Sequence, residues 1–282
     1  VPDIMIGAYG EDSGAGDAGM TYIVFGSSNI SGDHYLANAD VKFLGESTGD
    51  SSGYSVAFVD ANSDGIDDAL IGAYGKDSNG YSANGTVYLI EGPLTGSISL
   101  LYSDGIFRGE GTFHFAGKKV SSGGDFDNDG EEDILIGATG ADSSGISTGA
   151  AYILSSNKSG IINLSSADLK LIGEDSLHYA GQGLSAGDLN GDGFGDLLIS
   201  SHRESTSANS AGATYIVLGP ESGVVELVNT YAKATGQAEN DESGVDVAVI
   251  GDIDGDGRDE ALIGAHKESS VDMNAGAAYL LL

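Results

Sequence analysis

Four acidic stretches of one design recur along the chain. In the first, Asp60, Asn62, Asp64 and Asp68 occupy positions 1, 3, 5 and 9, with Gly65 at position 6 and Ile66 at position 7. The second carries Asp125, Asp127, Asp129, Gly130, Glu131 and Asp133. The third carries Asp188, Asn190, Asp192, Gly193, Phe194 and Asp196, and the fourth Asp252, Asp254, Asp256, Gly257, Arg258 and Glu260. They begin at 60, 125, 188 and 252, so the spacings are 65, 63 and 64 residues. Carboxylate and amide oxygens on alternate residues of a tight loop converge on one point, which is what a hard cation needs. Calcium takes six to eight oxygen ligands at about 2.3–2.6 Å in a flexible cage, whereas magnesium demands a smaller, more rigid octahedron. Glycine at position 6 permits a turn that a side chain would obstruct. Position 7 varies freely in chemical type, as expected where only its backbone carbonyl binds.

An EF-hand loop shares the first six positions but requires a bidentate glutamate at position 12. Position 12 here is Ile71, Ile136, Ile199 or Ile263, which excludes that loop. Asp- and Asn-rich stretches are also common as plain solvated turns. A turn, however, does not require carboxylates in the same register four times. The expected ligand set is therefore Asp60, Asn62, Asp64, Asp68 and the Ile66 carbonyl, with the equivalent five residues of each later loop. About four calcium ions are expected, one in each complete loop. Val1 to Ala8 aligns with Ile66 to Ala73, so Asp3 reads as the position-9 ligand of a fifth loop whose first positions precede the chain.

Position 9 opens a short apolar run: Ala69-Leu70-Ile71, Ile134-Leu135-Ile136, Leu197-Leu198-Ile199 and Ala261-Leu262-Ile263. Such runs read as buried strands. A strand beginning at Gly53, Gly117, Gly181 or Gly244 leads into each loop. A tyrosine strand follows, centred on Tyr22, Tyr88, Tyr152, Tyr215 and Tyr279, and its tyrosines are expected at the core edge with the hydroxyl at a polar rim. After a polar connection (26–40 in the first unit) comes a weaker charged strand such as Val41 to Glu46, read as an outer edge. Four antiparallel strands repeated radially make a propeller blade. The expected fold is an all-β propeller segment of four-stranded antiparallel blades, about 64 residues per repeat. The units run approximately 1–46, 47–110, 111–174, 175–236 and 237–282. The two terminal blades are expected to be incomplete, with three strands against four in the others, and an open arc is expected rather than a closed five-unit ring.

The chain has 282 residues, 46 of them glycine, with 43 acidic against 11 basic residues and a formal charge of −32. Four divalent ions would neutralise only a quarter of that charge. Such a molecule repels nucleic acid phosphates, and its charge serves solubility first. There is no cysteine, hence no disulfide framework and no thiolate metal site. No apolar run approaches the ~18 residues of a membrane span. Of the five histidines, His114 and His178 are 64 residues apart, as are His202 and His266, which suits a structural role in the repeat; His34 stands alone. No nucleophile elbow or glycine-rich phosphate loop is present. Carboxylate pairs are abundant, so a glycosidase-type pair stays open by residue type.

Gly53 to Val56, Asp60 to Asp68, Leu70-Ile71-Gly72-Ala73 and Gly85-Thr86-Val87-Tyr88 together resemble the FG-GAP repeats of the integrin α-subunit β-propeller and of many secreted bacterial proteins. The resemblance covers essentially the whole chain. In place of the family's proline after Gly-Ala stand Tyr74, Thr139 and His266, and Ser200-Ser201-His202 lacks Gly-Ala altogether. No nucleotide-fold domain is inserted. The resemblance implies calcium loops on one face and partner binding on the other. That second face would carry 9–18, 74–84, 139–148, 202–210 and 266–274, with the turns near 46–52, 110–116, 174–180 and 237–243. It also implies a secreted or cell-surface, non-catalytic adhesion or ligand-binding module with an extracellular protein or glycan partner, and no membrane insertion in this segment. The alternative is the propeller of a calcium-dependent polysaccharide lyase, or a scaffold attached to a carbohydrate-active enzyme.

Overall fold

A computed structural model of the chain describes residues 2–12, 15–27, 32–155 and 158–282. Val1, part of the 9–18 loop and part of the 26–40 connection lie outside the described residues. Among the described residues there is no α-helix; strands and short 3-10 turns make up the regular structure. Five sheets follow one another in chain order. The first holds Ile4–Ala8, Met20–Val24 and Val41–Leu44. The second holds Ser52–Val59, Asp68–Ala73, Thr86–Ile90 and Gly105–Arg108. The third holds Ala116–Ser122, Ile134–Ala138, Ala150–Leu154 and Leu169–Ile172. The fourth holds Leu184–Gly187, Asp196–Ser201, Ala213–Val217 and Ala232–Thr235, and the fifth Ser243–Val249, Ala261–Ala265 and Ala277–Leu281. The repeat-derived strands are antiparallel, three in each terminal sheet and four in each sheet between, as the repeat predicts. One rung is common to all five: Ile6, Ile71, Ile136, Ile199 and Ile263 pair with Tyr22, Tyr88, Tyr152, Tyr215 and Tyr279. In the three central sheets the strand after the acidic loop is buried at every residue. Neighbouring sheets cover it on both faces, hence its continuous apolar run in place of alternation.

Two expectations need correction. In the first three sheets the outer strand is not a bare edge, whereas in the fourth Ala232–Thr235 ends its sheet and is partly exposed, as expected. Gly96–Ser99, Gly160–Asn163 and Gly223–Glu226 each run parallel to the outer strand of the preceding sheet, starting from the pairs Val41–Gly96, Gly105–Gly160 and Leu169–Gly223. Each then enters a 3-10 turn whose first leucine, Leu100, Leu164 or Leu227, is buried. Phe43, Phe107, Leu169 and Leu171 on the outer strands are accordingly fully buried. The tyrosines of the three central sheets are not at the core edge either: Tyr88, Tyr152 and Tyr215 are among the largest fully buried side chains, whereas Tyr279 is partly buried at the edge of its cluster.

The core is divided into four clusters, each between successive sheets. Ile23 and Phe43 meet Ile71 and Tyr88; Leu70 and Phe107 meet Ile136 and Tyr152; Leu135 and Leu171 meet Ile199 and Tyr215; Leu198 meets Val247 and Ile263. No cluster among the described residues joins the first sheet to the fifth.

Successive sheets touch at paired glycines. A methyl group added to Gly7 would lie 1.9 Å from the Gly53 carbonyl oxygen, one on Gly72 2.0 Å from that of Gly117, and one on Gly137 2.2 Å from that of Gly181. These are backbone atoms of the neighbouring sheet and cannot swing aside. The fourth sheet departs. Ser200 replaces the glycine, its Oγ accepts a hydrogen bond from the Gly183 amide at 2.7 Å, and the strand expected from Gly181 begins only at Leu184. At Gly264 the nearest atom to an added methyl is 3.4 Å away. Gly72→Ala or Gly137→Ala is therefore expected to destabilise by about 3 kcal/mol through overpacking. Gly264→Ala should stay within about 0.5 kcal/mol. Chemical denaturation of the three variants in one buffer checks this, and equal effects at all three positions would contradict it.

Candidate metal centres

Each acidic loop joins the first strand of its sheet's metal-loop hairpin to the second, for instance Ser52–Val59 to Asp68–Ala73 and Ala116–Ser122 to Ile134–Ala138. All four therefore sit at the same end of the molecule, and neighbouring loops touch. The Gly195 amide donates to the Asp125 carbonyl at 2.8 Å. The Asp259 amide donates to the Asp188 carbonyl at 2.8 Å, and the Asp188 amide to the Asp259 carboxylate at 2.9 Å.

One internal network recurs. The position-6 glycines have φ of +82°, +92°, +90° and +90°, the left-handed region where glycine is unstrained. Their amides donate to the position-1 carboxylate: Gly65 to Asp60 at 3.0 Å, Gly130 to Asp125 at 3.1 Å, Gly193 to Asp188 and Gly257 to Asp252 at 2.9 Å. The position-5 amides donate to position 3, Asp64 to Asn62 and Asp192 to Asn190 among them. The amides of Ile66, Glu131, Phe194 and Arg258 donate to the position-5 carboxylates of Asp64, Asp129, Asp192 and Asp256.

This wrapping gathers the acids. Asp125, Asp127 and Asp129 each place an oxygen within 4.8 Å of the others, and so do Asp252, Asp254, Asp256 and Glu260. In the loops at 60 and 188 the amides Asn62 and Asn190 stand where the third carboxylate would be. Asp125 Oδ1 is buried without a hydrogen-bond partner. Oxygen-only donors, clustered anionic charge and an orphaned carboxylate oxygen fit a hard divalent cation. Burial, then the charges of Asp129 and Asp125, push the Asp127 carboxyl up.

Position 9 behaves differently. Asp68, Asp133, Asp196 and Glu260 are buried. Their carboxylates accept the position-2 amides: Ala61 to Asp68 at 3.2 Å, Phe126 to Asp133 at 2.9 Å, Leu189 to Asp196 at 3.0 Å and Ile253 to Glu260 at 2.7 Å. The second oxygen of Asp68 takes the Gly92 amide and that of Asp196 takes the Gly219 amide. Asp3 accepts the Gly26 amide at 2.7 Å and so occupies the same place in the first sheet. Among the position-9 residues, Glu260, one methylene longer, alone joins a converging cluster. Burial pushes the Asp68 and Asp196 carboxyls up to about 6, against the lowering effect of their amide donors.

The opposite end carries a feature that the repeat pattern alone does not show. Tyr9, Tyr54, Tyr74, Phe115 and Phe113 form a continuous row with ring centroids 5.1, 4.5, 6.0 and 6.1 Å apart. Tyr9, Tyr54 and Phe113 are 52%, 40% and 58% exposed. Tyr179 lies beyond, against His202 at 5.9 Å and under the Arg203 guanidinium at 5.5 Å. Phe113, Phe115 and Tyr179 hold φ of +60°, +57° and +58°, where bulky residues are strained. The available signal was aromatic type directly after the Gly-Ala pair (Tyr9, Tyr74) and after Gly53. His202 is pushed down to about 4, chiefly by burial.

Comparison with known proteins agrees with this architecture. The FG-GAP repeat family matches residues 52–90, 116–154 and 180–217. Integrin alpha-PS5 of Drosophila melanogaster is 31% identical over 170 residues, 56% of this chain and 15% of that protein. Integrin alpha pat-2 of Caenorhabditis briggsae is 26% identical over 237 residues, 78% of this chain and 18% of that protein. Phosphatidylinositol-glycan-specific phospholipase D of Bos taurus is 34% identical over 157 residues, 53% of this chain and 18% of that protein. The chain thus spans less than a fifth of the length of these relatives. Each FG-GAP match opens at the glycine contact, runs through an acidic loop and ends at the tyrosine strand, so the chain carries three FG-GAP repeats and resembles the integrin α propeller.

Proposed function

We propose that the chain is an extracellular, calcium-loaded propeller segment that binds a protein or glycan ligand on the end opposite its metal loops and performs no catalysis itself. Its units are those of the repeat, approximately 1–46, 47–110, 111–174, 175–236 and 237–282. Calcium is held by Asp60, Asn62, Asp64, Asp68 and the Ile66 carbonyl, and by the equivalent residues of the three later loops. The ion neutralises the converging carboxylates and so fixes the loop between two strands. The observation that carries the binding role is the aromatic row from Tyr9 to Phe113, exposed at Tyr9, Tyr54 and Phe113 and strained at Phe113 and Phe115. Strain of this kind persists where the surroundings enforce it and clusters at functional sites, and exposed aromatic patches mark interaction surfaces. The resemblance to integrin α chains supports the same reading.

Binding is tested with the double variant Tyr54→Ala and Tyr74→Ala, and with 74–84 replaced by a Gly-Ser linker. Retention is measured on a panel of extracellular proteins and glycans in millimolar calcium. At least about tenfold weaker binding with an unchanged melting temperature is expected, the loss of roughly one hot-spot contact. Undiminished binding would place the ligand elsewhere. The phospholipase relative makes a scaffold for an enzyme the second reading, and a rise in ultraviolet absorbance on an acidic polysaccharide would signal lyase activity instead.

The metal role has its own test. At ~1 mM calcium and ~0.1 mM affinity each site adds about 1.4 kcal/mol by mass action. Chelation should lower the melting temperature substantially, with little restored by magnesium. Asp64→Ala or Asp192→Ala should each remove one bound ion per chain. An unchanged melting temperature in protein shown by metal analysis to be calcium-free would sink the structural role.

A reversal with pH follows from the buried position-9 acids. Asp68 and Asp196 have folded pKa values of about 6, above the ordinary value of 3.8. The stability from their protonation is full below the unfolded pKa and is lost as pH rises through about 6. Chelated protein should therefore gain stability between about pH 7 and pH 5. Calcium-loaded protein should lose it over that range, because protons compete with the ion. Melting curves with the same sign of change in both states would contradict this.

A further inference from the structure

The joints between successive sheets carry a second, separate set of charges. Glu46, Glu110 and Glu174 follow the glycines that end the outer strands, and each meets a lysine: Lys76 at 3.0 Å, Lys170 at 2.8 Å and Lys233 at 2.8 Å. Lys170 and Lys233 also lie over the rings of Tyr152 and Tyr215, at 5.5 and 5.2 Å. At the Glu110 joint one carboxylate faces one lysine, and Ala141 stands nearby in the repeat. At the Glu174 joint the equivalent of Ala141 is Glu204, which is fully buried. Its Oε1 accepts from Lys233 at 3.1 Å, from the Thr206 amide at 2.7 Å and from the Thr206 hydroxyl. Its Oε2 is buried and has no hydrogen-bond partner.

His178 lies beside it, 8% exposed, with its Nδ1 buried and unpartnered. A ring nitrogen of His178, an oxygen of Glu174 and an oxygen of Glu204 all fall within 4.8 Å of one another. Lys233 is shared by the two carboxylates, which leaves the group one negative charge in excess, with Glu204 Oε2 buried and unpartnered, an arrangement that is costly unless a cation completes it. We propose that Glu174, His178 and Glu204 form a binding site for one imidazole-seeking divalent metal, with Zn²⁺ as the type, distinct from the oxygen-only loops. One imidazole and two carboxylates are an ordinary zinc donor set, with a water completing four-coordination. Calcium prefers oxygen alone. Lys233 keeps its bonds to Glu174 and to Glu204 Oε1 and orients both carboxylates from outside the metal's own shell. The His114 joint, lacking a second glutamate, is the internal control.

The test titrates Zn²⁺ into the full chain with the acidic loops filled by millimolar calcium, following heat and bound metal. One Zn²⁺ per chain is expected. His178→Ala and Glu204→Gln should each weaken it at least about tenfold, and His114→Ala should leave it unchanged. Cobalt(II) should give the intense visible absorption of a four-coordinate site in the wild type and lose it in His178→Ala. Should a variant fail to fold, the wild type still decides: cobalt(II) must shift the ring resonances of His178 before those of His114. No zinc uptake in calcium-filled protein, zinc displaced stoichiometrically by added calcium, or wild-type zinc affinity in the His178→Ala and Glu204→Gln variants would each overturn the proposal.

Discussion

The structure depends on backbone meeting backbone between sheets. Where Gly72 faces the Gly117 carbonyl, and at the equivalent pairs, no Cβ fits. The partner glycines Gly53 and Gly117 sit at φ of +79° and +82°, and their strands shift register just there, between Ser52 and Ser55 and at Ala138 opposite Ala116. A bulge of this kind twists a strand and re-aims its side chains. Tyr54, next to Gly53, is one of the residues so placed, which is how a contact deep between sheets governs what the exposed end presents.

The same contact keeps the acidic loops in step. Gathering three or four carboxylates is unfavourable: one pair at roughly 5 Å and an effective dielectric near 20 repels by about 3 kcal/mol. The chain opposes this locally by giving positions 1, 3 and 5 an amide donor each. Position 9 has another task. By accepting both the Ala61 and Gly92 amides, Asp68 ties the loop to the connection leaving the tyrosine strand, and Asp196 does so through Leu189 and Gly219. Loop geometry is thereby linked to the straps that run back along the preceding sheet.

Much of this was legible because the repeat enforces it. Strand order, loop register and the Ile–Tyr rung all follow from residues that recur near every 64 positions. The straps were not read, since Gly96-Ser97-Ile98-Ser99 is short, largely exposed and weakly patterned. A signal was nevertheless present: Leu36, Leu100, Leu164 and Leu227 recur at spacings of 64, 64 and 63. The burial of Tyr88, Tyr152 and Tyr215 was missed because a phenol suggests a polar rim. Within the fold the hydroxyl faces the joint glutamate, whose charge adds to burial in pushing the phenol up. The aromatic row was only partly legible from periodicity: Tyr9 and Tyr74 are equivalent residues after Gly-Ala, whereas Tyr54 and Phe113 have no aromatic counterpart in the other repeats.

That last point bears on what the exposed end can recognise. The acidic-loop end is chemically uniform, since most of its loop positions are candidate oxygen ligands or amide donors to them. The opposite end is free to differ from sheet to sheet, and it does so with a direction. Over the first three sheets it presents a row of tilted and edge-on rings, from Tyr9 to Phe113. Over the last two it presents ionic contacts, Arg203 on Tyr179 and Glu242 bonded to Lys267 at 2.7 Å with His266 at 3.6 Å. A ligand laid across this end would meet an apolar, sequence-tolerant platform at one side and fixed charges at the other. Ring stacking supplies contact area at little entropic cost, while charge placement sets orientation and rejects wrong partners. Glycine contacts hold the first four sheets in one register, and Ser200 packs against Gly244 where the fourth meets the fifth.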